Sequence, residues 1–133
     1  MIRGKVHSIE DALTGAPLVV VSVASIADPT QTLDVEALLD TGFTAYLTLP
    51  SQIISELGLA RLGTRSARLA NGEIEEFDVY AGLVSWNGHS RNLPILVSGS
   101  EPLLGMALLW GKRITIEAWE DGDVIVEVPT SES

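Results

Sequence analysis

The sequence predicts a mostly-β chain whose strands close into a barrel-like sheet, with one or two short helices. Three observations carry this. Val-rich or alternating apolar runs recur at short spacing, at residues 17–24, 33–37, 74–86 and 124–128. Asn71-Gly72 and Asn87-Gly88 each sit between such runs, and Asn-Gly is the strongest short-range hairpin signal. Only two stretches, after Pro50 and after Gly105, suit a helix, and both are brief.

In order, residues 6–9 read as a short strand, and Glu10-Asp11 with Thr14-Gly15 mark a turn. Residues 17–24 read as a strand buried on both faces. Asp28-Pro29-Thr30-Gln31 is expected to be a connection, where the proline bars a simple helix. Leu33, Val35 and Ala37 alternate with Asp34 and Glu36, giving a half-buried strand that feeds Asp40. Residues 46–49 continue beyond it. Pro50 and Ser51 open a helix with Ser51 as N-cap; Ile53, Ile54 and Leu57 share one face, and Gly58 is the stop. Residues 62–69 suit a strand with Arg65 and Arg68 outside. Asn71-Gly72 predicts a type I′ turn, and residues 74–86 form the return arm. Residues 93–97 form another strand, with Pro94 favouring an edge. The apolar run 103–110 turns helical after Gly105. Residues 114–119 and 124–128 alternate and make a last hairpin through Glu120-Asp121-Gly122-Asp123. A polar tail occupies 129–133. With no repeat or linker in 133 residues, one domain over 1–133 is expected.

Eight Lys plus Arg against 18 Asp plus Glu give a formal charge of −10. That excludes a nucleic-acid partner, which demands a basic face, and an anionic membrane surface. Without cysteine there is no disulfide framework, thiol nucleophile or Cys-based metal site. No run approaches the ~20 apolar residues of a membrane span, and the start lacks a secretory pattern, so a cytoplasmic setting is expected. His7 and His89 stand apart in sequence, and no His-x-His or His-Glu-x-x-His spacing occurs, so no metal or other cofactor is expected. Ser98-Gly99-Ser100 lacks the flanking glycines of a nucleophile elbow. Trp86, Trp110 and Trp119 are expected in the core or an interface.

The chemistry concentrates at Asp40. An apolar strand ends in this carboxylate, Thr41 offers a hydroxyl, and Gly42 permits a tight turn that brings its N–H near the acid. Leu38-Leu39-Asp40-Thr41-Gly42 resembles the catalytic loop of the retropepsin-like aspartic proteases. Pro102-Leu103-Leu104-Gly105 resembles that family's second signature, an apolar pair followed by Gly and a short helix. The resemblance spans about residues 15–128 and is to a single-domain, homodimeric, bacterial-type variant with Phe43 after the loop. It implies the acid-protease β-barrel, with Asp40 as acid/base and Thr41 and Gly42 as loop support. Thr41 would brace two loops across a dimer axis. Leu104 and Gly105 would pack behind the loop, and the Asn71-Gly72 hairpin would be the flap over substrate.

Hydrolysis by carboxylates needs two of them, one to take a proton from water and one to hydrogen-bond the scissile carbonyl. The chain holds one Asp-Thr-Gly and no room for a second copy, so the other carboxylate must come from a second molecule about a twofold axis. The expected function is therefore a homodimeric aspartic endopeptidase acting on a peptide or protein. The alternative is a dimeric peptide-binding or regulatory module that uses the same cleft without cutting. Phe43 stands where well-known family members carry a small residue; it either walls substrate space or packs in the core. The hairpin arm carries Glu73, Glu75, Glu76 and Asp78, read as a solvated face or as a preference for basic peptides. Interface strands are expected from residues 6–9 or 124–128, as exposed edges otherwise.

Overall fold

The computed structural model describes residues 1–9, 14–86, 88–99 and 101–129. The expected turn residues Glu10 and Asp11, Asn87 of the second Asn-Gly pair, Ser100, and the polar tail beyond Pro129 lie outside them. The described residues are mostly β: among them ten strands form one sheet, with two short helices.

Strands β1 (Ile2–Ile9), β2 (Thr14–Ser25) and β3 (Asp28–Leu39) make an antiparallel meander. Thr14 and Gly15, expected in a turn, already belong to β2 and pair with Ile9 and Ser8. Asp28-Pro29-Thr30-Gln31, expected as a connection, instead opens β3. The register jumps there, from Ala24↔Thr32 to Ser25↔Asp28, so the proline sits in a bulge where no ladder N–H is needed. Alternation places Val35, Ala37 and Leu39 in the core.

After β4 (Leu47–Leu49) comes α1 (Ser51–Leu57). The expected Ser51 cap is not made. Pro50 is already extended and its carbonyl accepts the Ile53 and Ile54 N–H groups, so Ser51 is the first helical residue. Gly58 ends the helix by returning its N–H to the Ile54 and Ser55 carbonyls.

Strands β5 (Ala60–Arg68) and β6 (Ile74–Trp86) form a long hairpin, and β7 (His89–Val97) returns along β6. The first hairpin does not use the expected type I′ turn. Gly72 has φ +87°, whereas Asn71 is not in the positive-φ region. The Gly72 N–H reaches the Leu69 carbonyl at 2.9 Å and the Leu69 N–H reaches that of Glu73 at 2.8 Å. This is a three-residue loop with glycine at the left-handed position, braced by the Asn71 side chain accepting the Glu73 N–H. Pro94 falls where β7 has β6 on one side only, since β4 covers just Ile95, Leu96 and Val97.

The remaining elements are β8 (Leu103–Leu104), α2 (Met106–Leu109), β9 (Arg113–Ile116) and β10 (Asp123–Glu127). Sheet order is β5-β6-β7-β4-β8-β3-β2-β1-β10-β9, and β2 also pairs with β6 through Val23↔Val84 and its neighbours, closing a partial ring. Of the two terminal runs, β10 is interior, between β1 and β9, contrary to expectation; residues 6–9 pair with β2 on one side, and beyond Lys5 β10 no longer covers the other, where Val6 bonds to Gly122 and Asp121 instead. The main core gathers the aliphatic faces of these strands, including Val21, Val35, Leu47, Ile95 and Val124. A smaller core of Phe43, Ala67, Phe77, Val79 and Leu96 lies beneath the β5–β6 hairpin. Trp86 is buried, but Trp110 and Trp119 are 77% and 63% exposed, so the monomer core takes neither. Among the described residues, no helix is long and apolar enough to cross a membrane.

Candidate active site

Three short elements build the Asp40 loop. β3 delivers the chain to Asp40, and β4 carries it away. β8, distant in sequence, inserts between them, parallel to β3 through Leu39↔Leu104 and antiparallel to β4 through Leu47↔Leu104. The Asp40 N–H donates to the Leu104 carbonyl at 2.9 Å, so the strand bonding runs up to the carboxylate-bearing residue itself. Leu104 is fully buried behind it.

Beyond Asp40 the chain turns tightly. The Phe43 N–H reaches back to the Asp40 carbonyl at 3.2 Å, and the Gly42 N–H donates to Asp40 Oδ1 at 2.9 Å. This second bond fixes the carboxylate and leaves the other oxygen free of protein donors among the described residues. Asp40 is half-buried, whereas Thr41 is exposed at the apex, its hydroxyl without a hydrogen-bond partner among the described residues. A two-atom hydroxyl on an outward apex is available to a neighbouring molecule.

Gly105 locks the rear of the loop. Its N–H donates to the Tyr46 carbonyl at 2.9 Å, and Met106 and Ala107 donate to the carbonyls of Phe43 and Ala45 at 2.8 and 3.2 Å. A Cβ at 105 would collide with the Ala45 carbonyl oxygen and the Phe43 ring, so only glycine lets α2 start this close to the loop. Thr48, buried in an apolar strand, accepts the Leu103 N–H at 2.9 Å and ties β8 to β4.

Phe43 packs in the smaller core. Its side chain has no exposed area and meets Phe77 edge-to-face, with ring centroids 6.4 Å apart. Phe77 comes from β6, so the residue directly after the loop glycine is also the anchor of the β5–β6 hairpin. That hairpin folds over the loop. A Cβ on Gly42 would come within 2.7 Å of Ala70 at the hairpin tip, and the Arg68 N–H donates to Thr44 Oγ1 at 3.3 Å. Asn71 and Gly72, both exposed, form the tip beside Ala70. The structure thus brings Asp40, Gly42, Phe43, Leu104, Gly105 and the tip of the Asn71-Gly72 hairpin into one assembly.

Ala70, Thr44 and Thr48 escaped the sequence reading. Only Thr48 gave a signal, as a lone polar residue within Tyr46-Leu47-Thr48-Leu49; Ala70 and Thr44 are ordinary residues given a role by a long-range approach.

Two features lie elsewhere. The acidic arm of β6 is exposed, and Asp78 pairs with Arg61 at 3.1 Å. A groove of about 450 Å³ lies between β1, β2 and the segment after β9, lined by Val6, Ser8, Pro17, Ile116, Trp119 and Glu120 among others; none of its lining belongs to the Asp40 loop. At its margin His7, isolated in sequence, stands beside Glu120 and Asp121, all exposed, with potential ligand atoms within 4.8 Å of one another. Glu120 is engaged already, accepting both the N–H and the hydroxyl of Ser8, and these bonds hold its carboxyl below the usual value.

No protein-family description, no curated protein and no solved structure matches this chain.

Proposed function

We propose that this protein is an aspartic endopeptidase of the retropepsin-like kind, with the acid-protease barrel fold, working as a homodimer with one Asp40 from each copy. The observation that carries this reading is the Asp40 loop. Its half-buried carboxylate is oriented by the Gly42 N–H, its backbone is bonded to Leu104, and its rear is closed by Gly105. A loop held this firmly suits catalysis, which needs its groups preorganised. The hairpin over the loop supplies a cover that excludes water from a bound peptide.

In the proposed reaction two Asp40 carboxylates face each other across the twofold axis and share a proton, the arrangement for which aspartic proteases are the standard example. The ionised carboxylate takes a proton from a water held between them, and that water attacks the scissile carbonyl. The protonated carboxyl hydrogen-bonds the carbonyl oxygen as negative charge develops, then the proton passes to the leaving amine. Thr41, exposed at the apex, braces one loop against the other. The expected setting is the cytoplasm, with a peptide or protein as substrate.

The test is incubation with a mixed peptide library from acidic to neutral pH. Wild type should cleave within a bell-shaped window, because the pair needs one proton and neither two nor none. Asp40→Asn should cleave nothing. If Asp40→Asn retains peptide binding and the wild type only binds, the chain is instead a peptide-recognition module on this fold.

A further inference from the structure

A two-copy enzyme needs a place where the copies meet, and β10, one of the two runs first suited to it, is interior. Among the described residues β5 and β9 end the strand order, and each has a neighbouring strand on one side only along its whole length. They differ in kind. β5 carries Arg61, Arg65 and Arg68 and a register break between Arg61 and Gly63, devices that keep a strand from pairing further. β9, Arg113-Ile114-Thr115-Ile116, runs without a break and pairs only with β10.

The backbone of β9 has a definite orientation. The Glu117 N–H donates to the Asp123 carbonyl at 2.9 Å. Bonding direction alternates along an antiparallel strand, so Arg113 and Thr115 also turn their amides toward β10, while Ile114 and Ile116 turn theirs outward. The side chains of Ile114 and Ile116 share a face with their partners Val126 and Val124, which are buried. That apolar face runs out at β9, where Ile116 is 41% exposed. The edge is open twice over, in its hydrogen bonds and in its apolar surface.

We propose that β9 pairs antiparallel with β9 of a second copy about a twofold axis through Thr115. This extends and rests on the proposed function, which requires two copies, while its geometry is independent of the chemistry at Asp40. Centred on Thr115, the strand is complementary to itself. Ile114 opposes the partner's Ile116, extending the apolar face across the axis. Arg113, which makes no ion pair among the described residues, opposes the partner's Glu117, whose Oε1 accepts the Asp123 N–H at 3.0 Å and whose other oxygen is available. The outward amides fit as well. Directly opposed Ile114 and Ile116 exchange both bonds on each side of the axis, and Thr115 meets its own copy at the closer, non-hydrogen-bonded spacing. An axis through Ile116 would set Arg113 against Trp119, and one through Ile114 would set Ile116 against Lys112; both lose the charge match.

The chain has no cysteine, so Thr115→Cys places a single thiol on the axis. The Cα separation there, about 4.5 Å, falls within disulfide range. Under mild oxidation Thr115→Cys should convert to a covalent dimer, while Ile125→Cys, one strand inward on the same face, should not. By sedimentation, Arg113→Glu should weaken dimerisation at least several-fold, and adding Glu117→Arg should recover part of it. A wild-type dimer that neither cross-links through residue 115 nor responds to Arg113→Glu overturns this edge pairing and leaves the Asp40 dimer standing. A wild-type monomer at all concentrations overturns both. Efficient cross-linking without any Asp40-dependent cleavage supports the pairing and counts against the peptidase.

Discussion

Phe43 does two jobs, one through its backbone and one through its ring. Its backbone closes the Asp40 turn and accepts the first N–H of α2, while its ring holds the β5–β6 hairpin down through Phe77. Because the ring is wholly buried, Phe43→Ala leaves a cavity that nothing nearby can fill without moving the loop. The expected cost is about 3–5 kcal/mol, read by urea denaturation, with no gain in cleavage. A variant with unchanged stability and faster turnover would return the ring to substrate space. Thr48 is the second residue whose role is local and measurable. Thr48→Val keeps the shape but strands the Leu103 N–H, for an expected loss of about 1–3 kcal/mol and a looser Asp40 loop. The Asp-Thr-Gly turn was readable from the sequence, because it is local chemistry; the need for glycine at 105 was not, because it arises from the approach of Ala45 and Phe43, distant along the chain. Whether Phe43 faced substrate or core was not, since that depends on Phe77, 34 positions away along the chain.

At the scale of elements, periodicity located most strands, and the return arm 74–86 coincides with β6. The misread pieces share a cause. Thr14-Gly15 and Asp28-Pro29 carry turn composition, yet strand pairing across β1–β2–β3 overrides it and a bulge absorbs the proline. Pairing partners distant in sequence leave no periodic trace, which is why β8 between β3 and β4 was not foreseen. The junction of β1 with the segment after β9 offers a pH test. Ser8 bonds lower the Glu120 carboxyl below its ordinary 4.5. A lowered folded value stabilises above the ordinary one and is lost as pH falls through the folded value. Ser8→Ala should therefore be less stable than wild type near neutrality, with the gap closing as the pH falls below the ordinary 4.5 and through the lowered folded value. A gap constant across that range, in thermal melts, would assign the effect to packing instead.

For the whole molecule, one sheet with a partial ring carries the Asp40 loop between β3 and β4 and ends at β9, which has a strand neighbour on one side only. Composition led to the expectation of a single acidic, mostly-β domain, and the lone Asp-Thr-Gly to that of two copies. The open edge could not be read, because the hairpin pattern of 114–119 and 124–128 does not say which of its two strands meets a further neighbour. The exposure of Trp110 and Trp119 is likewise a property of the assembled sheet and of no local pattern. The central claim is that catalysis needs one Asp40 from each of two chains, and subunit mixing tests it most directly. Wild type and Asp40→Asn are combined at fixed total concentration, allowed to exchange, and assayed on a cleaved peptide. If both carboxylates are needed, only pure wild-type dimers act, and equal mixing leaves about one quarter of the activity. About one half, falling in proportion to the wild-type fraction, would show each chain working alone and contradict the account.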